Sequence, residues 1–217
     1  MAPSSSTSTR APRADAERNR RRVLDAATRV FADVGADATL NDVARAAGVG
    51  VATVYRKFPD KTALLDALVE DKVEALVRLV EAAPAQRGPG EAFRDFLLAL
   101  MEQRAGDRGL EVVLTSPTGR SHFTAELQRR LLPGVDDLID RAVRAGQLRP
   151  GLSSHEVCLL AFMVGKVADV TRSDDPRVWR RYAQLLIDGT RPSHDVEALT
   201  PRPLSFDATT AALGRSV

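Results

Sequence analysis

The sequence predicts an all-α protein: an N-terminal three-helix unit containing a helix-turn-helix, followed by a C-terminal helical domain. Three observations predict it. Apolar residues recur at helical spacing along almost the whole chain, and no stretch alternates with the period of two that a half-buried strand requires. Thr39 to Phe58, TLNDVARAAGVGVATVYRKF, reads as two short helices joined by a glycine turn. The Pro- and Gly-rich run from Ala83 to Gly90 then breaks the periodicity and divides the chain.

Composition narrows the class. The 217 residues are 44% hydrophobic and 28% charged with a formal net charge of +2, ordinary for a globular protein, so any basic surface must be local. The single cysteine, Cys158, excludes an intramolecular disulfide framework and fits a reducing cytoplasm. No apolar run reaches the ~18 residues of a membrane span, and the first residues lack the apolar core of a signal peptide. A cytoplasmic location is therefore expected.

Residues 1–17, rich in Ser, Thr, Ala and Pro, are expected to be a disordered tail. Arg18, Arg20, Arg21 and Arg22 lead into a first helix from about Asn19 to Val34, whose stripe is Val23, Leu24, Ala27, Val30, Phe31 and Val34. Such an arginine cluster is either a solvated helix start or a phosphate contact. Thr39 is an N-cap, with Asp42 in the place of a capping-box acid. Gly48 can end the second helix in a left-handed conformation. The third helix, about Val51 to Phe58, buries Val54 and Phe58 and turns Ala52, Thr53, Arg56 and Lys57 outward. Two helices crossed by so short a turn present the second to a DNA major groove. Asp60 caps a fourth, longer helix that would span about 30 Å, enough to leave a first domain (18–80) and enter a second (81–189).

In the second domain Phe93, Phe96, Leu97, Leu100 and Met101 share a face, and Leu110 to Leu114 form a short apolar piece. A helix from about Ser121 to Ala145 should kink or break at Pro133-Gly134. Ser153 and Glu156 form a capping box opening a helix whose middle, Cys158 to Val164, is apolar all round and must be covered all round. Asp175, with Pro176 behind it, caps the last helix, which carries Trp179, Tyr182, Leu185 and Leu186. Residues 190–217 are expected to be a flexible tail.

The run AGVGVATVYRKFPDKTALL, Ala47 to Leu65, resembles the signature of the TetR family of bacterial transcriptional regulators; Thr39, Ala44, Gly48, Thr53, Tyr55, Phe58, Lys61, Leu64 and Leu65 carry the match. One departure is Gly50, where the family often has a capping Ser. The resemblance implies a homodimeric repressor that binds a palindromic operator and is released by a small apolar or amphipathic ligand. It also implies DNA-binding roles for Thr39, Asn41, Gly50, Val51, Ala52, Thr53, Tyr55, Arg56, Lys57 and Lys61. Among these, Thr53, Tyr55, Lys57 and Lys61 match phosphate-contacting positions, and Asn41, Val51 and Ala52 face base edges. Phe96, Leu100, Met101, Phe123, Leu127 and Met163 are expected to line a ligand pocket, with Gln103, His122 and Gln128 as polar candidates. Leu159, Phe162, Lys166, Trp179, Tyr182 and Leu186 are expected to form the dimer interface. The alternatives are a helical ligand-binding protein, and a regulator or activator that answers to no ligand. His122, His155 and His194 have no metal-ligand spacing, and no phosphate loop, zinc-type cysteine pair or nucleophile elbow is present. Neither cofactor, metal nor catalytic residue is expected.

Overall fold

Residues 10–83, 88–107, 117–192 and 199–215 are described in a computed structural model, and every regular element among them is helical. The chain divides into two units at Leu68/Val69. The boundary lies inside a helix and earlier than residue 80, because one long helix serves both units.

The first unit begins with α1, Arg10–Val34. It starts well before residue 18. Alanine and arginine are strong helix formers, and Pro12 sits in the first turn, where a missing N–H costs little. Val23, Leu24, Ala27 and Phe31 bury the inner face of α1, which packs along α2, Leu40–Ala47. Thr39 and Asp42 form the capping box: Thr39 Oγ1 accepts from Asp42 N at 3.2 Å, and Asp42 Oδ2 accepts from Thr39 N at 3.1 Å. The hydroxyl and amide of Thr39 hold the Asp42 carboxyl below the ordinary carboxylate range. Gly48 ends α2 at φ +64°, a left-handed conformation that favours glycine. The short α3, Val51–Lys57, follows with Gly50 as a cap that offers no side chain.

Losing that box is expected to be measurable. Thr39→Ala should lower stability by roughly 1 kcal/mol in a denaturant titration at neutral pH. The depressed Asp42 carboxyl contributes stability at neutral pH that is lost as pH falls through its folded value. The stability gap between wild type and variant should therefore narrow on acidification, and a gap constant down to acid pH would contradict this assignment.

The helix α4, Lys61–Glu81, carries the chain onward. In the second unit, α5 (Pro89–Gly106) packs against α7 (Leu132–Arg144) and α8 (Ser154–Thr171), and α9 (Trp179–Asp188) against α5 and α8. Their shared core includes Phe93, Phe96, Leu97, Met101, Val135, Leu138, Val157, Val164 and Trp179. The expected capping box holds the entry of α8, where Ser153 N donates to Glu156 Oε2 at 2.9 Å. Asp175 does not cap α9 directly. It accepts from Arg177 N at 2.8 Å in a turn that precedes Trp179.

Two features differ from the expectation, and a third falls outside what the structure describes. The helix α6, Pro117–Glu126, passes into α7 through a π turn, Leu127–Leu131, rather than a break. Pro133 offers no N–H to the turn before it, and widening that turn is the usual accommodation. Leu132 N closes it by donating to Leu127 O. The second difference is α10, Phe206–Arg215, in a segment expected to be a mobile tail. Ser205 caps it, its Oγ accepting from Ala208 N at 3.2 Å, and Thr209 is buried. The third concerns Leu110 to Leu114 and His194, which lie outside the described residues.

Candidate DNA interface and ligand cavity

Two sites are built on this frame, one in each unit. In the first, α3 buries Val54 and turns Val51, Ala52, Tyr55 and Arg56 to solvent, with Thr53 half-buried. Asn41 and Gly50 are also exposed. The helix is therefore anchored along one line and presents its opposite face. That face carries two small apolar side chains, which suit thymine methyl groups, and two groups able to bond phosphate or a base edge.

The flanking residues have more specific employment than the sequence suggested. Arg22 donates from Nη2 to Ala47 O at 2.9 Å, satisfying a carbonyl at the end of α2. It is a helix cap first, and cations at helix C-termini are stabilised by the backbone dipoles. Lys57 Nζ donates to Ala16 O of α1 at 2.7 Å. Lys61 Nζ lies 5.3 Å from the centre of the Phe31 ring, which fixes its stem beside α1 and sets the charge at the start of α4. Thr39 is exposed, but its hydroxyl donates to Asp42 Oδ2 at 2.6 Å.

The second unit contains a cavity of about 270 Å³ lined from α4, α5, α6, α8 and α10. Leu100, Phe123 and Leu127 line it as expected from the sequence, together with Leu76. The polar candidate Gln103 also lines it, whereas Gln128 borders a second, more open depression and His122 reaches neither. Phe96 and Met101 lie in the core behind the cavity. Met163 is placed elsewhere: it is 53% exposed and does not line the cavity.

The expected dimer residues are redistributed too. Leu159, Phe162 and Lys166 belong to the cavity wall, and Trp179 is buried in the core. An apolar surface remains on α8 and α9, formed by Met163, Val170, Tyr182 and Leu185 with Leu186 half-buried at its edge. The reason is rotational: a helix apolar on all sides offers no polar stripe to say which side faces which neighbour.

Sequence reasoning missed Arg104, a charged residue in the apolar stripe of α5. It is 6% exposed and lines the cavity. Its Cζ lies 5.5 Å from the centre of the Phe162 ring, its Nη1 donates to Asp107 O at 3.1 Å, and its Nη2 lies 3.5 Å from Asp169 Oδ2. Gly165 makes room for it: a Cβ there would meet Arg104 Cγ at 2.6 Å and Nε at 2.8 Å. Beside it Lys72 Nζ lies 2.6 Å from Asp107 Oδ2, both side chains largely buried. Also missed was the contribution of α10. Phe206, Thr209 and Thr210 close part of the wall, and His155 Nε2 lies 2.7 Å from Leu204 O. Cys158 lines the cavity as well, and burial, with a smaller push from Asp136, raises its thiol to about 12. It is a neutral wall group at physiological pH. The π turn contributes Arg130, which bonds Glu70 and Glu74 on α4 and ties that helix to the wall. Among the described residues no cluster of His, Cys, Asp or Glu could hold a metal ion, and no helix is long and apolar enough to cross a membrane.

Comparison with known proteins covers both units. Residues 23–68 match the model of the bacterial regulatory proteins of the tetR family, and residues 88–192 that of the SbtR-like transcriptional regulator C-terminal domain. An uncharacterised HTH-type transcriptional regulator of Mycobacterium bovis is 31% identical over 154 residues, 69% of this chain and 78% of the relative. The HTH-type transcriptional repressor LfrR of Mycolicibacterium smegmatis is 45% identical over 76 residues, 35% of this chain and 40% of the relative. The crystal structure of a TetR transcription regulatory protein from Mycobacterium vanbaalenii is 31% identical, with a TM-score of 0.54, covering 83% of this chain and 99% of that one. The helix-turn-helix with its outward α3, the helical second domain and these matches together place the chain in the TetR family of DNA-binding transcriptional regulators.

Proposed function

We propose that this protein is a cytoplasmic, homodimeric repressor that binds a palindromic operator and leaves it when a small, largely apolar ligand fills the cavity of the second unit. The observation that carries the reading is the pairing, in one chain, of an outward recognition helix with an apolar cavity of ligand size. Cavities of this kind, mostly hydrophobic with a few placed polar groups, are where small molecules bind. A dimer places two copies of α3 on successive major grooves about 34–36 Å apart, and a two-fold protein requires a two-fold operator. The apolar face of α8 and α9 is the surface on which a second copy would pack.

The helix α4 supplies the connection. Its first turns belong to the DNA-binding unit and its later turns line the cavity through Lys72 and Leu76. A ligand that prefers one position of α4 shifts the population between DNA-competent and DNA-incompetent dimers. It can shift it only by its difference in affinity for the two.

The DNA-binding half is tested by mobility shift on duplexes selected by the purified protein. Tyr55→Phe and Lys61→Ala should each weaken binding by roughly fivefold to tenfold, evenly across sequences, as phosphate contacts do. Lys61→Ala should also flatten the salt dependence. Full affinity in both variants would remove the proposed interface.

A further inference from the structure

We infer that the cavity takes an amphipathic anion: an apolar body carrying one carboxylate or comparable acidic head, with the head at the Lys72–Arg104 end. The inference rests on the reading of this cavity as the ligand site.

Its wall is apolar through Leu76, Leu100, Phe123, Leu127 and Phe162, yet the charged side chains on it are mostly of one sign. Among the described residues, Lys72, Arg104, Arg120 and Lys166 line it with one carboxylate, Asp107. At the buried end the ion pairs are unevenly shared. Lys72 takes both oxygens of Asp107, at 2.7 and 2.6 Å. Arg104 therefore has the main-chain oxygen of Asp107 and a long 3.5 Å contact with Asp169, which Arg172 also approaches at 3.4 Å. Three cations thus share two carboxylates. Arg104 Nε has no hydrogen-bond partner among the described residues.

Buried charges need close compensation, because water no longer screens or solvates them. An incoming anion supplies it, and a guanidinium matches the planar geometry of a carboxylate. A neutral hydroxyl can accept a hydrogen bond but adds no charge. A cation meets repulsion from Lys72 and Arg104 at the buried end. The apolar remainder rewards a hydrocarbon or ring body in proportion to the area it removes from water.

The test compares three probes of equal chain length, decanoate, 1-decanol and decylammonium, by equilibrium dialysis against the full-length protein at neutral pH. Decanoate should bind about tenfold or more tightly than decanol, and decylammonium weakest. The order is informative because decanol is the least hydrated probe and would lead if apolar burial alone decided. Lys72→Gln and Arg104→Gln should each reduce decanoate binding severalfold and narrow the ratio of decanoate to decanol affinity. Ranking the probes on wild type requires no variant, so the inference stays open to refutation even if Arg104→Gln does not fold. Decanoate binding no tighter than decanol overturns it. Operator release, read on the same samples, separates the two readings. If decanol releases the operator and decanoate does not, the anion preference falls and the ligand-controlled repressor stands. If no probe binds the wild-type protein, both fall together.

Discussion

Leu185→Asp should convert the protein from dimer to monomer. Leu185 is 60% exposed and Val170 74% exposed, and with Met163 and Tyr182 they are the large apolar side chains that α8 and α9 turn to solvent, the kind of surface on which proteins associate. In a two-fold interface every substitution appears twice, each copy facing the same surface on the other chain. A carboxylate brought there without a partner costs roughly 3–5 kcal/mol, and two copies raise the dissociation constant by several orders of magnitude. Sedimentation velocity at micromolar protein should show monomers with an intact helical spectrum. Operator affinity should fall with it, since a monomer reaches one half-site. A variant that still sediments as a dimer would move the interface to another face. Phe162, also expected from the sequence at the dimer interface, lies on the cavity wall beside Arg104, so an acid there would disturb the cavity as well.

Gly165→Ala should destabilise the second unit and disorganise the cavity together. The added methyl would sit 2.6 Å from Arg104 Cγ and 2.8 Å from its Cζ, below any real contact distance. The side chain cannot swing away at little cost, because it is buried and holds Asp169 and the Asp107 carbonyl. Overpacking of this kind costs about 1–3 kcal/mol, and parting a buried cation from its partners adds to it. Thermal unfolding should show Tm lower by several degrees. The loss should be much smaller in an Arg104→Met background, where no guanidinium needs the space. Equal losses in both backgrounds would mean that the methyl clashes with the helix packing rather than with Arg104.

The first unit was legible in the sequence from Thr39 to Phe58, whereas the start of α1 was not. Its local signals all agree: Thr39 with Asp42 at the start of α2, Gly48 at its end, and Val54 inward with Tyr55 outward on α3. Short helices with polar faces leave little rotational freedom. The second unit was legible only as helices. Of the residues expected to line a ligand pocket, Leu100, Phe123 and Leu127 face the cavity, whereas Phe96 and Met101 are core and Met163 is surface. A cavity wall and a core wall present the same chemistry, and what separates them is volume, which is not written in the sequence. Arg104 was passed over because charged residues are by default exposed; Gly165 sixty-one residues later, which admits it, could not be paired with it by spacing. The helix α10 carries two large apolar residues, Phe206 and Leu213, too few to give a periodic signal. It forms because the second unit offers Phe206 and Thr209 a place to pack.

The π turn at Leu127–Leu131 separates chain length from helical phase. In an α-helix every residue advances the face by about 100°, so losing one residue within α6 would swing Phe123 off the cavity. A π turn already holds one residue more than the α-helix around it. A deletion there is absorbed by a return to ordinary spacing, and Phe123 keeps the cavity while Val135 keeps the core. Opposing that return is Pro133, whose ring would again meet the carbonyl of the preceding turn. The turn and the proline therefore act as one unit: replacing Pro133 while deleting one residue of the turn should leave both walls in place.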